Sequence, residues 1–401
     1  MHPYQRLLNR SLRKLRGGTL RLTYWNGGTR RFGRGEPVVH LHLKTPSLVP
    51  RLLLDPELAF GEAYQRGELE LDGRVDDLLR LVGANDVPMT RLAQALFDGA
   101  AKLSRWQGVS MGRNRRDVQA HYDLGNDFYE MWLDPSMTYS CAYFRSPGDS
   151  LEQAQRNKIA HLLKKLRLED GQTLLDVGCG WGALLAEAVR ERNIKALGIT
   201  LSQEQKAWFD ERTRPALGGR AEVRLEHYHE LAASKATFDR IVSVGMAEHV
   251  GRANLPTFIA DLKTLLKPQG LGVLHLITGV GEEPTSAWLV KYIFPGGYIP
   301  SLSEIVRELS AQELVIYDME NIGQHYALTL DKWSEGFERN AEWVRDRYGE
   351  EFVRMWRLYL NFSAASFREE DIYVHQIVFC NGKARDYPLT RDWMLERRKN
   401  G

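Results

Sequence analysis

Apolar residues follow two different spacings along most of this chain. After residue 116, short apolar runs alternate with longer stretches in which apolar residues recur every three or four positions. The runs predict strands at Thr173–Val177, Ala196–Thr200, Glu222–Leu225, Phe238–Val244, Gly270–Leu276, Leu314–Asn321 and Tyr373–Asn381. The longer stretches predict helices at Leu151–Leu166, Leu184–Arg192, Gln203–Arg214 and Leu255–Leu266. Strands that alternate with helices are typical of a parallel sheet covered on both faces.

The pattern therefore predicts a doubly wound, Rossmann-like α/β domain over residues 117–401, with ligands bound at the carboxyl ends of its strands. The preceding residues follow a different pattern. Gly18–Trp25 and Pro37–Lys44 alternate with period two, and Asn26-Gly27-Gly28 is a hairpin signal. Helical spacing follows at Pro56–Arg66 and Asp76–Leu81. We expect a small α+β domain over residues 1–102, joined by a polar, basic linker over residues 103–116.

Composition supports two globular domains and excludes several other classes. The chain has 401 residues, of which 43% are hydrophobic and 26% charged. It has no apolar run long enough to span a membrane and no secretory leader. Its three cysteines, Cys141, Cys179 and Cys380, do not suggest a disulfide framework, so we expect a reduced cytoplasmic setting. No Cys/His cluster has zinc-finger spacing, and we therefore predict no metal.

Positive charge is concentrated at the N-terminus. Nine basic residues precede the first acidic residue, Glu36: Arg6, Arg10, Arg13, Lys14, Arg16, Arg21, Arg30, Arg31 and Arg34. Gln5–Arg16 is also amphipathic, with a stripe formed by Leu8, Leu12 and Leu15. This pattern favours peripheral docking on an anionic phospholipid surface. The alternative is a helix whose leucines pack on their own domain. Nucleic acid is not expected as a partner, because no recognition module is present.

The segment Leu174–Gly182 carries the strongest chemical signal. It reads Leu-Leu-Asp-Val-Gly-Cys-Gly-Trp-Gly, so a buried strand passes through glycines at alternate positions into a helix. Such a turn lets a nucleoside approach the main chain without meeting a Cβ atom. The spacing differs from the dinucleotide-binding Gly-x-Gly-x-x-Gly, and no phosphate-gripping lysine follows. It is typical of proteins that bind S-adenosylmethionine (SAM).

The second predicted strand ends unusually for a nucleoside site. An acidic residue commonly stands there to bind the ribose hydroxyls. Here the strand ends in Thr200-Leu201-Ser202, and Gln205 follows one helical turn later. Neutral hydroxyls and an amide must therefore supply the polar contacts.

Five segments together closely resemble bacterial cyclopropane-fatty-acyl-phospholipid synthases. In chain order, they are His121–Tyr129, Met137–Tyr143, Asp176–Gly182, Gly198–Ser202 and Gly245–Gly251. The resemblance covers the whole predicted catalytic domain, and the N-terminal domain resembles the additional lipid-binding domain of those enzymes. It implies transfer of the SAM methyl group to a cis double bond of a phospholipid acyl chain. A carbocation forms, and bound bicarbonate removes a proton so that a cyclopropane ring closes.

The resemblance also implies the site residues. Those around bicarbonate are Cys141, Glu248, His275, Ile277 and Tyr326, with Cys141 and Ile277 acting through backbone groups. Those around SAM are Tyr139, Ser140, Gly178, Gly180, Thr200, Leu201, Gln205, His227 and Tyr228. Aromatic side chains expected near the sulfonium or the carbocation are Tyr122, Tyr139, Phe144 and Trp181.

Two departures from the family pattern leave the product open. His227-Tyr228-His229 stands where Asp-Tyr-Arg is common, and Ala247 replaces a common phenylalanine. The alternatives are C-methylation that leaves a methyl- or methylene-branched lipid, N-methylation of a small amine, and a non-catalytic lipid carrier. A homodimer is compatible with the sequence but is not specified by it.

Overall fold

The structure, a computed structural model, describes residues 2–85, 124–282, 285–369 and 372–395, which group into two compact units. The first comprises Met1–Gln107, Pro284–Ile293 and Leu330–Asp371. The second comprises Gly108–Glu283, Phe294–Thr329 and Ile372–Gly401. The predicted linker over 103–116 lies outside the described residues. The sequence pattern did not anticipate that two later segments would join the N-terminal unit.

A four-stranded sheet forms the centre of the first unit. Its strands are β1 (Gly18–Thr23), β2 (Thr29–Arg34), β3 (Val38–Leu43) and β4 (Leu69–Asp72), in the order β2-β1-β3-β4. The β1–β2 and β3–β4 pairs are antiparallel, whereas β1 and β3 are parallel. The helices that precede residue 85 are Pro3–Leu12, Leu48–Leu54, Pro56–Gln65 and Val75–Gly83. Both predicted strands and both predicted helices of this region are therefore present.

The N-terminal helix buries its leucine stripe in its own unit. Leu8 and Leu12 are buried, and Leu15 packs partly against the same core. These leucines therefore pack on their own domain, as the alternative interpretation of the amphipathic helix predicts. All nine basic residues before Glu36 are exposed, as are Tyr4 and Leu7 of the helix.

Later helices complete the first unit: Ala287–Tyr292, the second half of Gly323–Arg339, Ala341–Tyr348 and Glu350–Arg368. The last of these packs against Pro56–Gln65 and Val75–Gly83. Arg354 lies over the Tyr64 ring and forms an ion pair with Glu70 at 2.9 Å. These interactions connect parts of the chain that are far apart in sequence, so the local spacing of apolar residues could not predict them.

The second unit contains the predicted doubly wound sheet. Its strands are β5 (Thr173–Val177), β6 (Lys195–Thr200), β7 (Ala221–Leu225), β8 (Phe238–Val244), β9 (Leu266–Gly279), β10 (Leu314–Asn321) and β11 (Ile372–Asn381). Their order is β10-β11-β9-β8-β5-β6-β7. The β7-β6-β5-β8-β9 neighbours are parallel, and β10 and β11 complete one edge as antiparallel strands. The chain order reverses beside β5, where a ligand crevice is expected.

Helices cover both faces of this sheet: Asn126–Glu130, Leu151–Leu166, Ala183–Glu191, Gln203–Trp208, Tyr228–Ala233, Leu255–Leu265, Leu302–Ala311 and the first part of Gly323–Arg339. Successive residues of β5 join different core clusters, since Leu174 belongs to one and Leu175 to the other.

One predicted helix has the wrong extent. Gln203–Arg214 was expected to be continuous, but the α-helix ends at Trp208 and continues as a π-helical turn and a 3₁₀ turn up to Leu217. Pro215 lies in the 3₁₀ turn, where its missing N–H prevents a return to α-helical hydrogen bonding. Among the described residues, no helix has the length and apolar character needed to cross a membrane.

Candidate active site

The glycine turn after β5 has the backbone conformation that its sequence predicts. Gly178, Gly180 and Gly182 have φ values of 82°, 55° and 86°, a region that residues with a Cβ atom rarely adopt. A Cβ on Gly178 would also lie 2.9 Å from the Met246 side chain. The N–H groups of Gly178 and Cys179 donate to the Ile199 carbonyl at 3.0 and 3.1 Å. The turn is thus fixed to the end of β6.

The end of β6 supplies the neutral polar groups that the sequence suggested. The Thr200 hydroxyl donates to Oε1 of Gln205 at 2.6 Å. The Gln205 N–H in turn donates to Oγ of Ser202 at 3.3 Å, so Ser202 caps the helix Gln203–Trp208. With its oxygen engaged, the Gln205 amide presents its NH₂ group as a donor.

A cavity of about 120 Å³ lies at this edge of the sheet. All nine predicted SAM-binding residues line it: Tyr139, Ser140, Gly178, Gly180, Thr200, Leu201, Gln205, His227 and Tyr228. The structure thus brings together residues that span about ninety positions of the sequence. Their contact with SAM stays a prediction.

Sequence reasoning missed Lys158, which also lines this cavity. Its Nζ donates to Oγ of Ser140 at 2.8 Å, and burial lowers the pKa of its ammonium group to about 8. Burial also raises the pKa of Asp176 to about 7, and Oδ1 of Asp176 has no hydrogen-bond partner. The sequence does contain a sign of this buried lysine, because Lys158 interrupts the apolar stripe of the predicted helix between Ala154 and Leu162.

The predicted aromatic residues divide into different environments. Tyr139 and Trp181 line the cavity, and each ring contacts Tyr129, at centroid distances of 5.6 and 5.3 Å. Phe144 does not line it and packs instead in a small core cluster. Tyr122 lies outside the described residues. Two of the four expected aromatic side chains are therefore placed where a sulfonium could meet them.

The residues of the segment His227-Tyr228-His229, which follows β7, have different environments. His227 caps the helix Tyr228–Ala233, and its ring is tilted by 34° against that of Tyr228, with the centroids 4.1 Å apart. His229 instead approaches Asp261, with Nδ1 and Oδ2 2.8 Å apart. Only the first two residues of the segment therefore line the cavity. Ala247 is buried in the core and does not line it.

Glu248 stands just beyond β8, on a 3₁₀ turn at Ala247–His249. Its Oε1 accepts the Ile277 N–H at 2.7 Å, whereas Oε2 is buried and has no hydrogen-bond partner. Burial raises the pKa of Glu248 to about 7. This carboxyl group can therefore change protonation state near neutral pH, as a group that handles protons requires.

His275 and Ile277 present their side chains on the same side of β9, because residues two apart on a strand share a face. His275 is buried, its Nδ1 lies 3.2 Å from Nε2 of Gln376, and burial holds the pKa of its imidazole well below the usual range. It is therefore neutral at physiological pH. The Ile277 carbonyl points to the same side as its N–H, toward Glu248.

Cys141 lies close to the beginning of the helix that carries Tyr326. Its Sγ is 3.9 Å from the Ile322 carbonyl, and the Ile322 N–H donates to the Val374 carbonyl at 2.8 Å. Val374 is the register partner of Ile277. Burial raises the pKa of the Cys141 thiol, which disfavours a thiolate nucleophile at neutral pH.

The strand order, the glycine turn fixed to β6 and the strand-end cavity define the class: the protein is an S-adenosylmethionine-dependent methyltransferase. Comparisons with known proteins define its family. The profile described as mycolic acid cyclopropane synthetase matches residues 109–377, and that of a domain of unknown function (DUF7884) matches residues 7–92.

Relatives match over most of the chain. A probable fatty acid methyltransferase of Pseudomonas putida is 36% identical over 386 residues, which are 94% of this chain and 96% of the relative. The cyclopropane-fatty-acyl-phospholipid synthase of Escherichia coli K12 is 37% identical over 362 residues, 87% of this chain and 89% of the relative. The structure of mycolic acid cyclopropane synthase CmaA1 complexed with SAH and CTAB matches with a TM-score of 0.63 and 35% identity. The match covers 66% of this chain and 98% of the CmaA1 chain.

This chain belongs to the mycolic acid cyclopropane synthetase family. The resemblance inferred from its five sequence segments is thereby confirmed, as is the Rossmann-like fold. The individual roles of Glu248, Cys141, His275, Ile277 and Tyr326 stay predictions.

Proposed function

We propose that this enzyme transfers the methyl group of SAM to a cis double bond in a phospholipid acyl chain and closes a cyclopropane ring. Addition of the methyl group to one alkene carbon leaves a carbocation on the other. Loss of one proton from the new methyl group allows the second carbon–carbon bond to form. The lipid gains one CH₂ unit, and S-adenosylhomocysteine and a proton are released.

The observation that carries this proposal is the buried carboxyl group of Glu248. Its unpartnered Oε2 needs a hydrogen-bond donor, since an unsatisfied buried polar atom is costly. A bicarbonate O–H fits this requirement. Glu248, His275 and Tyr326, with the Cys141 and Ile277 backbones, would hold bicarbonate, and bicarbonate bound there would supply the base that accepts the proton.

The lipid substrate is supported by the relatives. Both full-length relatives are named for action on fatty acids or fatty-acyl phospholipids. The solved relative was crystallised with CTAB, a detergent with a long alkyl chain. These names and this complex support a substrate with a long alkyl chain.

C-methylation without ring closure is the second candidate. It is favoured by the name of the Pseudomonas putida relative, a probable fatty acid methyltransferase. In that reaction the carbocation would lose a proton from a chain carbon and leave a methyl-branched alkene. A methylene branch would instead form if a 1,2-hydride shift moved the cation to the methyl-bearing carbon before a methyl proton is lost.

Lipid analysis after expression in a bacterial host that lacks such enzymes tests the proposal. We expect monounsaturated acyl chains to be replaced by chains one CH₂ heavier. Mass alone cannot separate a cyclopropane from a methylene-branched isomer, so proton NMR of the purified esters must show ring methylene rather than vinyl signals. Vinyl signals would establish the second candidate, and unchanged lipids would contradict both.

We also propose that the N-terminal unit brings the enzyme to the cytoplasmic face of the membrane as a peripheral protein. Support comes from the nine exposed basic side chains, of which none forms an ion pair with any described acidic residue. Arg13, Arg30 and Arg31 also line one surface cavity of about 390 Å³. Tyr4 and Leu7 are exposed on the helix that carries Arg6 and Arg10, and exposed apolar groups among basic ones suit an anionic lipid interface.

Replacing five helix-associated basic residues by glutamine should strongly weaken vesicle binding. The replaced residues are Arg6, Arg10, Arg13, Lys14 and Arg16. Each basic residue near an anionic membrane contributes about 1 kcal/mol before screening, so the loss should be largest at low salt and high anionic lipid content. Sedimentation with vesicles of varied phosphatidylglycerol content measures it, and SAM affinity should not change.

A second variant with the same loss of charge provides the control. Its five exposed positions belong to the other unit: Arg145, Arg156, Arg190, Arg192 and Lys195. We expect this variant to retain most of its vesicle binding. Equal weakening of both variants would mean that net charge alone drives binding, and unchanged binding of the first would refute the docking surface.

A further inference from the structure

A cluster of three potential metal ligands lies in the first unit, apart from the residues assigned to methyl transfer. His40 and His42 are on β3, and Asp72 is at the end of β4. The antiparallel register places His40 opposite Asp72. Because His40 and His42 are two residues apart, they share the sheet face opposite the buried Val39 and Leu43. All three side chains therefore stand on the outer face of a sheet whose other face packs on the core.

The ligand atoms already converge. Oδ2 of Asp72 lies 2.6 Å from Nε2 of His42 and 3.4 Å from Nδ1 of His40. One ligand atom from each of the three residues lies within 4.8 Å of the other two. Tetrahedral zinc with bonds of about 2.0–2.1 Å keeps its ligand atoms slightly more than 3 Å apart. Small side-chain adjustments would therefore complete three of its four positions.

The orientation of His40 favours a ligand role. Its Nε2 is 2.8 Å from Oγ1 of Thr23, which leaves Nδ1 facing Asp72. A metal-bound histidine is commonly oriented by a second hydrogen bond of this kind. A simple His42–Asp72 hydrogen bond would explain the position of His42. It would not explain why a second, separately anchored imidazole is directed at the same carboxylate oxygen.

The charges around the cluster have opposing effects. Arg21, the register partner of His40 on β1, opposes cation binding. Asp72 supplies the compensating negative charge, and all three ligand side chains are partly or fully exposed to solvent. Glu70, opposite His42, is engaged by Lys44 and Arg354 and does not complete the set. The fourth position would thus be filled by water.

We propose that His40, His42 and Asp72 bind a divalent transition-metal ion, for which Zn²⁺ suits the two-nitrogen, one-oxygen ligand set. Two imidazoles and a carboxylate exclude Mg²⁺ and Ca²⁺ as the preferred ions, because those prefer oxygen ligands. The bound ion links β3 to β4 and stabilises the first unit. The sequence pattern predicted no metal, because the third ligand is thirty residues from His42.

Titration of the full chain with Zn²⁺ tests the proposal. The protein is prepared without a histidine tag and stripped with a chelator. Calorimetry should show one equivalent bound per chain, and Co²⁺ should give the intense visible absorption of a tetrahedral site. His42→Ala and Asp72→Asn should abolish this equivalent. Thr23→Val, which removes only the orienting hydroxyl, should weaken affinity about 10- to 100-fold.

His229→Ala is the matched control, because His229 forms a single His–Asp contact with Asp261. It should leave the titration unchanged. Zn²⁺ should raise the melting temperature of the wild type and of His229→Ala but not of Asp72→Asn, whose folding is checked by circular dichroism without metal. Zinc binding that is absent in the wild type, or identical in wild type and His42→Ala, overturns the proposal.

Discussion

Glu248→Gln should bind SAM with nearly wild-type affinity and lose turnover by about 10²–10⁴-fold, the usual cost of removing a positioned proton-handling group. Glu248 itself does not line the cavity formed by the predicted SAM-binding residues, although its neighbours Met246 and His249 do. The substitution keeps the shape of the side chain and the acceptor for the Ile277 N–H. It removes the ionisable oxygen that has no partner. SAM affinity by calorimetry and turnover on vesicles of unsaturated phospholipid separate the two effects.

Glu313→Gln, an exposed position in the same unit, is the control and should remain fully active. Retention of most activity by Glu248→Gln would contradict the assigned role.

Stability offers an independent readout of the buried carboxyl group. Burial raises its pKa from 4.5 to about 7, so the folded protein favours the protonated form.

The sign of the pH effect follows from this shift. The raised pKa costs the wild type nothing below pH 4.5, and the cost grows as pH rises through 7. As the pH rises from 4.5 to above 7, the unfolding free energy of the Glu248→Gln variant minus that of the wild type should therefore increase by about 3 kcal/mol. Urea unfolding without SAM near pH 5 and pH 8 measures this change. A difference that does not vary with pH would mean that Glu248 is not buried as described.

Removing bicarbonate should reduce turnover to a small fraction, and adding it back should restore activity. Tyr326→Phe should raise the bicarbonate concentration needed for half-maximal activity by about tenfold or more. The reason is that a hydrogen bond to a charged group contributes about 1.5–3 kcal/mol. Turnover is measured in degassed buffer under inert gas over a bicarbonate series.

Tyr317→Phe is the matched control for this series. The Tyr317 hydroxyl accepts the Ala384 N–H at 2.8 Å and belongs to the same unit. Its loss should leave the bicarbonate requirement unchanged. Full wild-type activity without bicarbonate would exclude it as the base, and a protein side chain would then have to take the proton.

The sequence did not predict β2 and β4 of the first unit as strands, but by itself it determined the seven strands of the second unit, the glycine turn and the end of β6. These features depend on local spacing: residues two apart share a strand face, and only glycine readily adopts the positive φ values of the turn. Thr200 and Gln205 were predicted to supply polar groups there, but the hydrogen bond between them became visible only in the structure. Five ordered segments were then enough to indicate the family.

Only the tertiary structure decided which distant residues meet and how burial changes their chemistry. Glu248 and Ile277 are 29 positions apart, and their contact depends on the pairing of β8 with β9. The altered pKa values of Glu248 and Lys158 depend on exclusion of water by many residues, which spacing along the chain does not record. For the same reason, the convergence of Asp72 on His40 became visible only once β3 and β4 were paired.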